Sequence, residues 1–205
     1  VVTGAVSYDA VLGAIPPALA AFLDAGPPPV VFTLGTAAVG ADDAPRFYRV
    51  SLEAAAELGV RCVLLVGQDA GHRPDTSVRA DVFVADWAPH SELFARASVV
   101  VHQGGAGTLH TALRSGRPML VVPFAHDQGD NAVRAARLGV ARVIFSSQYR
   151  RAAVAAQLRA LLTESSWRER STAVASQVSA EHGAESACEA LEQLLVYSRQ
   201  PLHRH

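Results

Sequence analysis

Short apolar, β-branched runs alternate with stretches of helical period along most of this chain. Val30 to Leu34, Arg61 to Val66, Asp81 to Ala85, Ser98 to Val101, Met119 to Val122 and Ala141 to Phe145 each read as a strand. Runs apolar at successive positions, rather than at every second one, predict strands covered on both faces. Helical spacing fills the gaps at Pro45 to Leu58, Ser91 to Ala97, Thr108 to Ser115, Asn131 to Leu138 and Ala152 to Leu162. A shorter helix is expected from Pro16-Pro17 to Leu23, with proline near its start. Two more are expected at Trp167 to Ser179 and Glu185 to Tyr197. Strands alternating with helices predict an α/β chain, a Rossmann-like doubly wound parallel sheet of about six strands. The expected organisation is one domain over residues 1–205, with residues 1–29 a lead-in and residues 165–205 a set of C-terminal helices. The end of the chain, from Pro201 to His205, is expected to fray.

Composition narrows the classes. A chain of 205 residues, half of them hydrophobic, buries a sizeable core as one domain. The net charge of −1 leaves no basic field for nucleic acid and no acidic tail. All 18 basic residues are arginine, so a lysine-bearing phosphate loop is excluded. Cys62 and Cys188 stand far apart with no metal-ligand spacing, which fits a reducing, cytoplasmic setting. There is no visible signal peptide, and no apolar run approaches the ~20 residues of a membrane span.

The chemistry concentrates between Trp87 and Asn131. After the strand ending near Val101 comes His102-Gln103-Gly104-Gly105-Ala106-Gly107-Thr108, and then a helix. A glycine-rich turn opening a helix leaves backbone N–H groups unpaired, in the positive end of the helix dipole. Small residues let an anion approach the backbone closely. Thr108 adds a hydroxyl and Gln103 an amide, so the turn is a candidate diphosphate cradle. A plain strand–helix turn that needs glycine for tight packing fits the same residues. Asp127 and Gln128 follow the next strand at its carboxyl end, where open α/β sheets bind ligands. Their acceptors and donors suit adjacent sugar hydroxyls. Asp127 also suits an N-cap for the following helix. Trp87, at the exit of the third strand, can stack on a nucleobase beside the Ala88 backbone, or serve as a core anchor.

Taken together, these motifs resemble the donor-sugar signature of nucleotide-sugar-dependent glycosyltransferases of the two-domain GT-B architecture. That family includes plant and animal UDP-glycosyltransferases and bacterial enzymes that decorate sterols, macrolides, glycopeptides and rhamnolipids. The resemblance is strongest from Trp87 to Asn131. It implies inverting, metal-independent transfer of a hexose from a UDP- or dTDP-sugar to a hydroxyl of a small acceptor (a natural product, lipid or sterol-like molecule). By the family pattern Trp87 stacks near the base, and the Ala88 backbone and His90 border the base and ribose. Gly104, Gly105, Ala106, Gly107 and Thr108 hold the diphosphate, and Asp127 with Gln128 holds the sugar. Thr36, in Phe32-Thr33-Leu34-Gly35-Thr36, matches a turn that often reaches the diphosphate too. No cofactor and no metal are implied.

Two positions depart from the pattern. Where many members place a diphosphate-contacting histidine this chain has Gln103, with His102 one residue earlier, and Gln103 is the preferred contact. Where plant members carry a ribose-binding glutamate it has Thr111, beside His110. Both departures point to the bacterial antibiotic, sterol and rhamnosyl-transfer branches. The resemblance also implies that the catalytic base lies in an N-terminal acceptor domain outside this chain. These residues alone are therefore expected to bind donor without efficient transfer. A GT-B-fold nucleotide-sugar epimerase and a non-catalytic binding module are the alternatives.

Overall fold

The computed structural model describes residues 2–6, 14–35, 43–68, 73, 74, 76 and 79–198, without the side chains of residues 196–198. Six strands form one sheet: β1 (Val30–Thr33), β2 (Cys62–Leu65), β3 (Val82–Ala85), β4 (Val99–His102), β5 (Met119–Val121) and β6 (Ala141–Val143). Their order is β3-β2-β1-β4-β5-β6 and every pairing is parallel. The sheet is thus the doubly wound arrangement expected from the pattern, and its direction of winding reverses between β1 and β4.

Each strand buries alternate side chains on opposite faces, and helices cover both. On one face Val30, Phe32, Cys62, Leu64, Val99, Val101 and Leu120 pack with α2 (Ala44–Leu58) and α6 (Arg151–Thr163). On the other, Val31, Val63, Leu65, Val100, Met119 and Val121 pack with five helices. These are α1 (Pro17–Asp24), α3 (His90–Ala95), α4 (Ala106–Ser115), α5 (Gln128–Arg137) and α7 (Ser165–Ser179). α8 (Gly183–Ser198) follows, with Leu191, Leu194 and Leu195 exposed.

Several helix starts lie upstream of where the pattern put them, α7 and α8 by two residues each, and two others bear on the site. α4 begins at Ala106 rather than Thr108, because Gly105 takes the extended backbone of the capping position. α5 begins at Gln128 rather than Asn131. The Gln128 side-chain oxygen accepts the N–H groups of Phe124 (2.8 Å) and Ala125 (3.1 Å), which locks the preceding loop and starts the helix early. A 3-10 turn at Ser146–Gln148 had no counterpart in the periodicity. Among the described residues no helix is long and apolar enough to cross a membrane.

The aromatic cluster under α2 reaches the loop that carries Asp127. Phe47 stacks on Tyr149 at 5.0 Å and meets Phe124 edge-on at 6.3 Å. Tyr149 is buried, and its hydroxyl lies 2.7 Å from the Ser51 hydroxyl, which also donates to the Phe47 carbonyl. Arg46 reaches across to the carbonyls of Ser146 and Tyr149. Tyr149→Phe removes one buried hydrogen bond and keeps the ring. It is expected to cost about 1 kcal/mol, and Tyr149→Ala about 3–5 kcal/mol through the cavity it leaves. Urea unfolding of both variants checks the ranking, and equal losses would show that the hydroxyl, not the ring, holds this cluster.

Candidate functional site

A cavity of about 1130 Å³ opens at the carboxyl ends of β1, β2, β3 and β4, at the reversal of winding. Crevices at this position are where open α/β sheets take ligands. Its walls include Gly35, Gly67, Trp87, His90, Ala106, Gly107, Thr108 and Thr111. Trp87 is 44% exposed, so it is a wall of the cavity and not a core anchor. His90 stacks on Phe94 at 4.7 Å and 14°, which holds its ring flat beside the opening. The Ala88 side chain is fully buried with the α3 core, leaving its backbone as the only group it offers.

The helix end facing the cavity is open. The first intrahelical bond of α4 runs from Leu109 N–H to Gly105 O at 2.9 Å, and no side chain among the described residues caps the end. The N–H groups of Ala106, Gly107 and Thr108 precede that bond and have no acceptor among the described residues. Ala106 and Gly107 are exposed. Three donors converge there, in the positive end of a ten-residue helix. No charged side chain is needed for an anion to bind.

The turn that aims this helix is fixed from several sides. Gly104 adopts φ +91°, and a Cβ there would lie 2.9 Å from Val121 Cγ1 and 3.1 Å from the Gln128 carbonyl. Its N–H donates to His102 Nδ1 at 3.0 Å, and its carbonyl accepts from Asn131 Nδ2 at 2.9 Å. His102 is wholly buried, with Nε2 3.4 Å from the Met119 sulfur. Accepting at Nδ1 assigns the proton to Nε2. Burial, aided by the nearby His90, lowers the His102 pKa to about 3, so the ring stays neutral. His102 is therefore a support beneath the turn and does not line the cavity.

Gln103 is buried at 3% exposure behind the same turn. Its amide nitrogen lies 2.5 Å from where a Cβ on Gly35 would stand and 2.7 Å from one on Gly105. A side chain at either glycine would have to displace that amide. Gly35, at φ +59°, also brings the loop after β1 within 3.2 Å of the Thr108 hydroxyl, measured to its absent Cβ. Thr36, expected to join the diphosphate site from this loop, lies outside the described residues.

Asp127 and Gln128 sit one strand along, after β5, and do not line the cavity. Gln128 is buried with its carbonyl oxygen committed to the loop, leaving its NH₂ as the group able to donate outward. Asp127 occupies the N-cap position of α5 yet makes no side-chain cap bond. Its exposed carboxylate accepts instead from Asn131 Nδ2 at 2.8 Å. The pattern gave no reason to single out Asn131; the available signal was its place one helical turn after Asp127. The departure residues Thr111 and His110 both face the cavity. Burial and the Arg114 guanidinium hold His110 below the ordinary histidine range, against the opposing pull of Glu181. Among the described residues no three His, Cys, Asp or Glu side chains gather as a metal site.

Residues 49–194 match the family described as Erythromycin biosynthesis protein CIII-like, C-terminal domain. Vancomycin aglycone glucosyltransferase of Amycolatopsis orientalis is 43% identical over 124 residues, 60% of this chain and 29% of that protein. O-mycaminosyltylonolide 6-deoxyallosyltransferase of Streptomyces fradiae is 36% identical over 179 residues, 86% of this chain and 40% of that protein. The crystal structure of the glycotransferase of kitacinnamycin superposes with a TM-score of 0.75 at 28% identity, covering 92% of this chain and 47% of that one. The chain thus spans less than half the length of these relatives.

The buried histidine has a measurable signature. Its folded pKa lies below the unfolded value of 6.5, so the unfolded state binds the extra proton. The stability this group permits is complete above about pH 6.5 and falls as pH drops toward 3. His102→Asn keeps an acceptor near the Nδ1 position and removes the titration. The wild type is expected to lose about 2 kcal/mol more than this variant between pH 6.5 and 5, read by urea unfolding across that range. Parallel profiles would mean that His102 is not buried neutral.

Proposed function

The chain belongs to the erythromycin biosynthesis protein CIII-like C-terminal domain family of GT-B glycosyltransferases, and from that premise we propose that it is the donor-binding half of an inverting, metal-independent hexosyltransferase. The donor is a UDP- or dTDP-sugar, and the acceptor is a hydroxyl-bearing small molecule of natural-product, lipid or sterol type. The relatives named for a vancomycin aglycone and for O-mycaminosyltylonolide support the natural-product choice. The observation that carries the reading is the start of α4, whose N–H groups have no acceptor among the described residues and open into the same cavity as the half-exposed Trp87.

In this reading the base stacks on Trp87, beside the Ala88 backbone and His90. The diphosphate lies on the N–H groups of Ala106, Gly107 and Thr108, with the Thr108 hydroxyl as a further donor. Asp127 accepts from sugar hydroxyls, and the Gln128 NH₂ donates to them. The acceptor oxygen attacks the anomeric carbon from the face opposite the diphosphate, the bond to the β-phosphate oxygen breaks, and configuration inverts. The acceptor proton passes to a base outside these residues. Negative charge grows on the departing diphosphate, and preorganised amides meet it without reorganising. The 205 residues alone bind donor and do not turn over efficiently.

Calorimetric titration with UDP, dTDP and their glucose conjugates in the presence of EDTA tests the assignment. Trp87→Ala is expected to weaken all four ligands by about tenfold or more. Thr108→Val should weaken all four by about threefold to tenfold. Asp127→Ala should weaken the sugar conjugates by about tenfold and leave the bare nucleotides within about twofold. Equal losses for both ligand types in Asp127→Ala would contradict its sugar role, and dependence of binding on a divalent cation would contradict the metal-free site.

A further inference from the structure

An aspartate at an N-cap normally turns its carboxylate onto the N–H groups of its own helix. Asp127 does not, although it stands at the head of α5. Its backbone is already helical (φ −73°, ψ −8°) and does not take the extended shape of a capping residue, and its carboxylate meets a partner one turn further on. Asn131 follows four residues later, and side chains on a helix lean back toward its start. Its amide nitrogen has two hydrogens and two acceptors: Asp127 Oδ2 at 2.8 Å and the Gly104 carbonyl at 2.9 Å. One nitrogen therefore joins the carboxylate after β5 to the turn after β4. The two loops are otherwise separate in sequence, 27 residues apart at Asn131 and Gly104.

Both ends of this bridge are constrained on their far sides. At Gly104 the N–H is held by His102, and the space a side chain would need is filled by Val121 and Gln128. The turn cannot slide without breaking the bridge. At the other end the α5 start is fixed by the Gln128 oxygen on Phe124 and Ala125 N–H. The Asn131 N–H also donates to the Asp127 carbonyl at 3.0 Å, so backbone and side chain of Asp127 are both tied to the same residue. What remains outside these bonds is the Asp127 Oδ1 atom, on an exposed carboxylate.

We propose that Asn131 is a positioning residue of the donor site, setting the sugar-binding carboxylate of Asp127 at a fixed distance from the diphosphate-binding turn. This rests on the donor reading above and deepens it. Asn131 touches no ligand. It registers the carboxylate to Gly104. Its effect belongs to ligands that occupy both halves of the site, that is, nucleoside diphosphates carrying a sugar.

The test separates that role from simple support of the turn. Kd values for UDP, dTDP, UDP-glucose and dTDP-glucose are measured on the 205-residue chain, and the ratio of nucleotide Kd to conjugate Kd isolates the sugar's contribution. Asn131→Ala is expected to shrink that ratio by about threefold to tenfold. In an Asp127→Ala background the same change should alter the ratio by less than about twofold, because the bridge has lost its target. Asn131→Ser, which keeps one donor, should fall between. Equal weakening of nucleotides and conjugates by Asn131→Ala, or the same loss of ratio in both backgrounds, overturns the proposal. Should the variants not fold, NMR of the unaltered chain decides. The Asn131 side-chain amide signals should shift with the glucose conjugates well beyond their shift with bare nucleotide, and identical shifts overturn it. Nucleotide binding with no gain from glucose removes the sugar role of Asp127 and the bridge with it, while leaving the diphosphate site standing. Failure of the unaltered chain to bind all four ligands removes the donor reading itself.

Discussion

Three backbone N–H groups at the start of one helix have no partner among the described residues, and much of the architecture serves to keep them so. Relative to glycine, a capping side chain at that end would stabilise α4 by about a few tenths of a kcal/mol. The chain instead places Gly105 there, with no side chain to offer. The winding reversal between β1 and β4 supplies the open space in front of it. The β4 strand, buried on both faces, supplies the rigid base behind it. A site built from backbone amides is fixed by the fold and not by rotamers, which is what electrostatic preorganisation requires.

Rigidity here costs buried polar atoms. His102 gives up its charge to lie under the turn, accepting from Gly104 N–H. Gln103 is buried with its amide against both turns, so that a side chain at Gly35 or Gly105 would have to displace it, and its Oε1 finds no donor among the described residues. Gln128 spends its oxygen on two loop N–H groups. Each of these polar side chains holds backbone in place. The cavity wall is left to exposed or half-buried groups: Trp87, His90, Thr108, and the amides of Ala106 and Gly107.

The fold was legible because each strand is apolar on both faces, a pattern that only covered parallel strands need. Glycine after Leu58 and after Ser115 marked two helix ends correctly. Helix starts were harder. Small residues at Ala106 and Gly107 read as turn, and Gly129 hid the start of α5, whose N-cap residue Asp127 makes no side-chain cap bond. Trp87, His90 and the glycine turn came together at one cavity as the motif implied. The supporting groups were invisible. Nothing about His102 in the sequence distinguishes a ring beneath the turn from one facing a ligand. Asn131 acquires meaning only when Gly104 is brought beside it.

The amides themselves are the most direct test of the central claim. In a ¹⁵N-labelled sample of the chain, the backbone signals of Ala106, Gly107 and Thr108 are followed as inorganic pyrophosphate and then UDP are added. The account predicts that these three move together, saturably and furthest, with both ligands. Saturable binding whose largest shifts fall elsewhere, with these three unmoved, would contradict it.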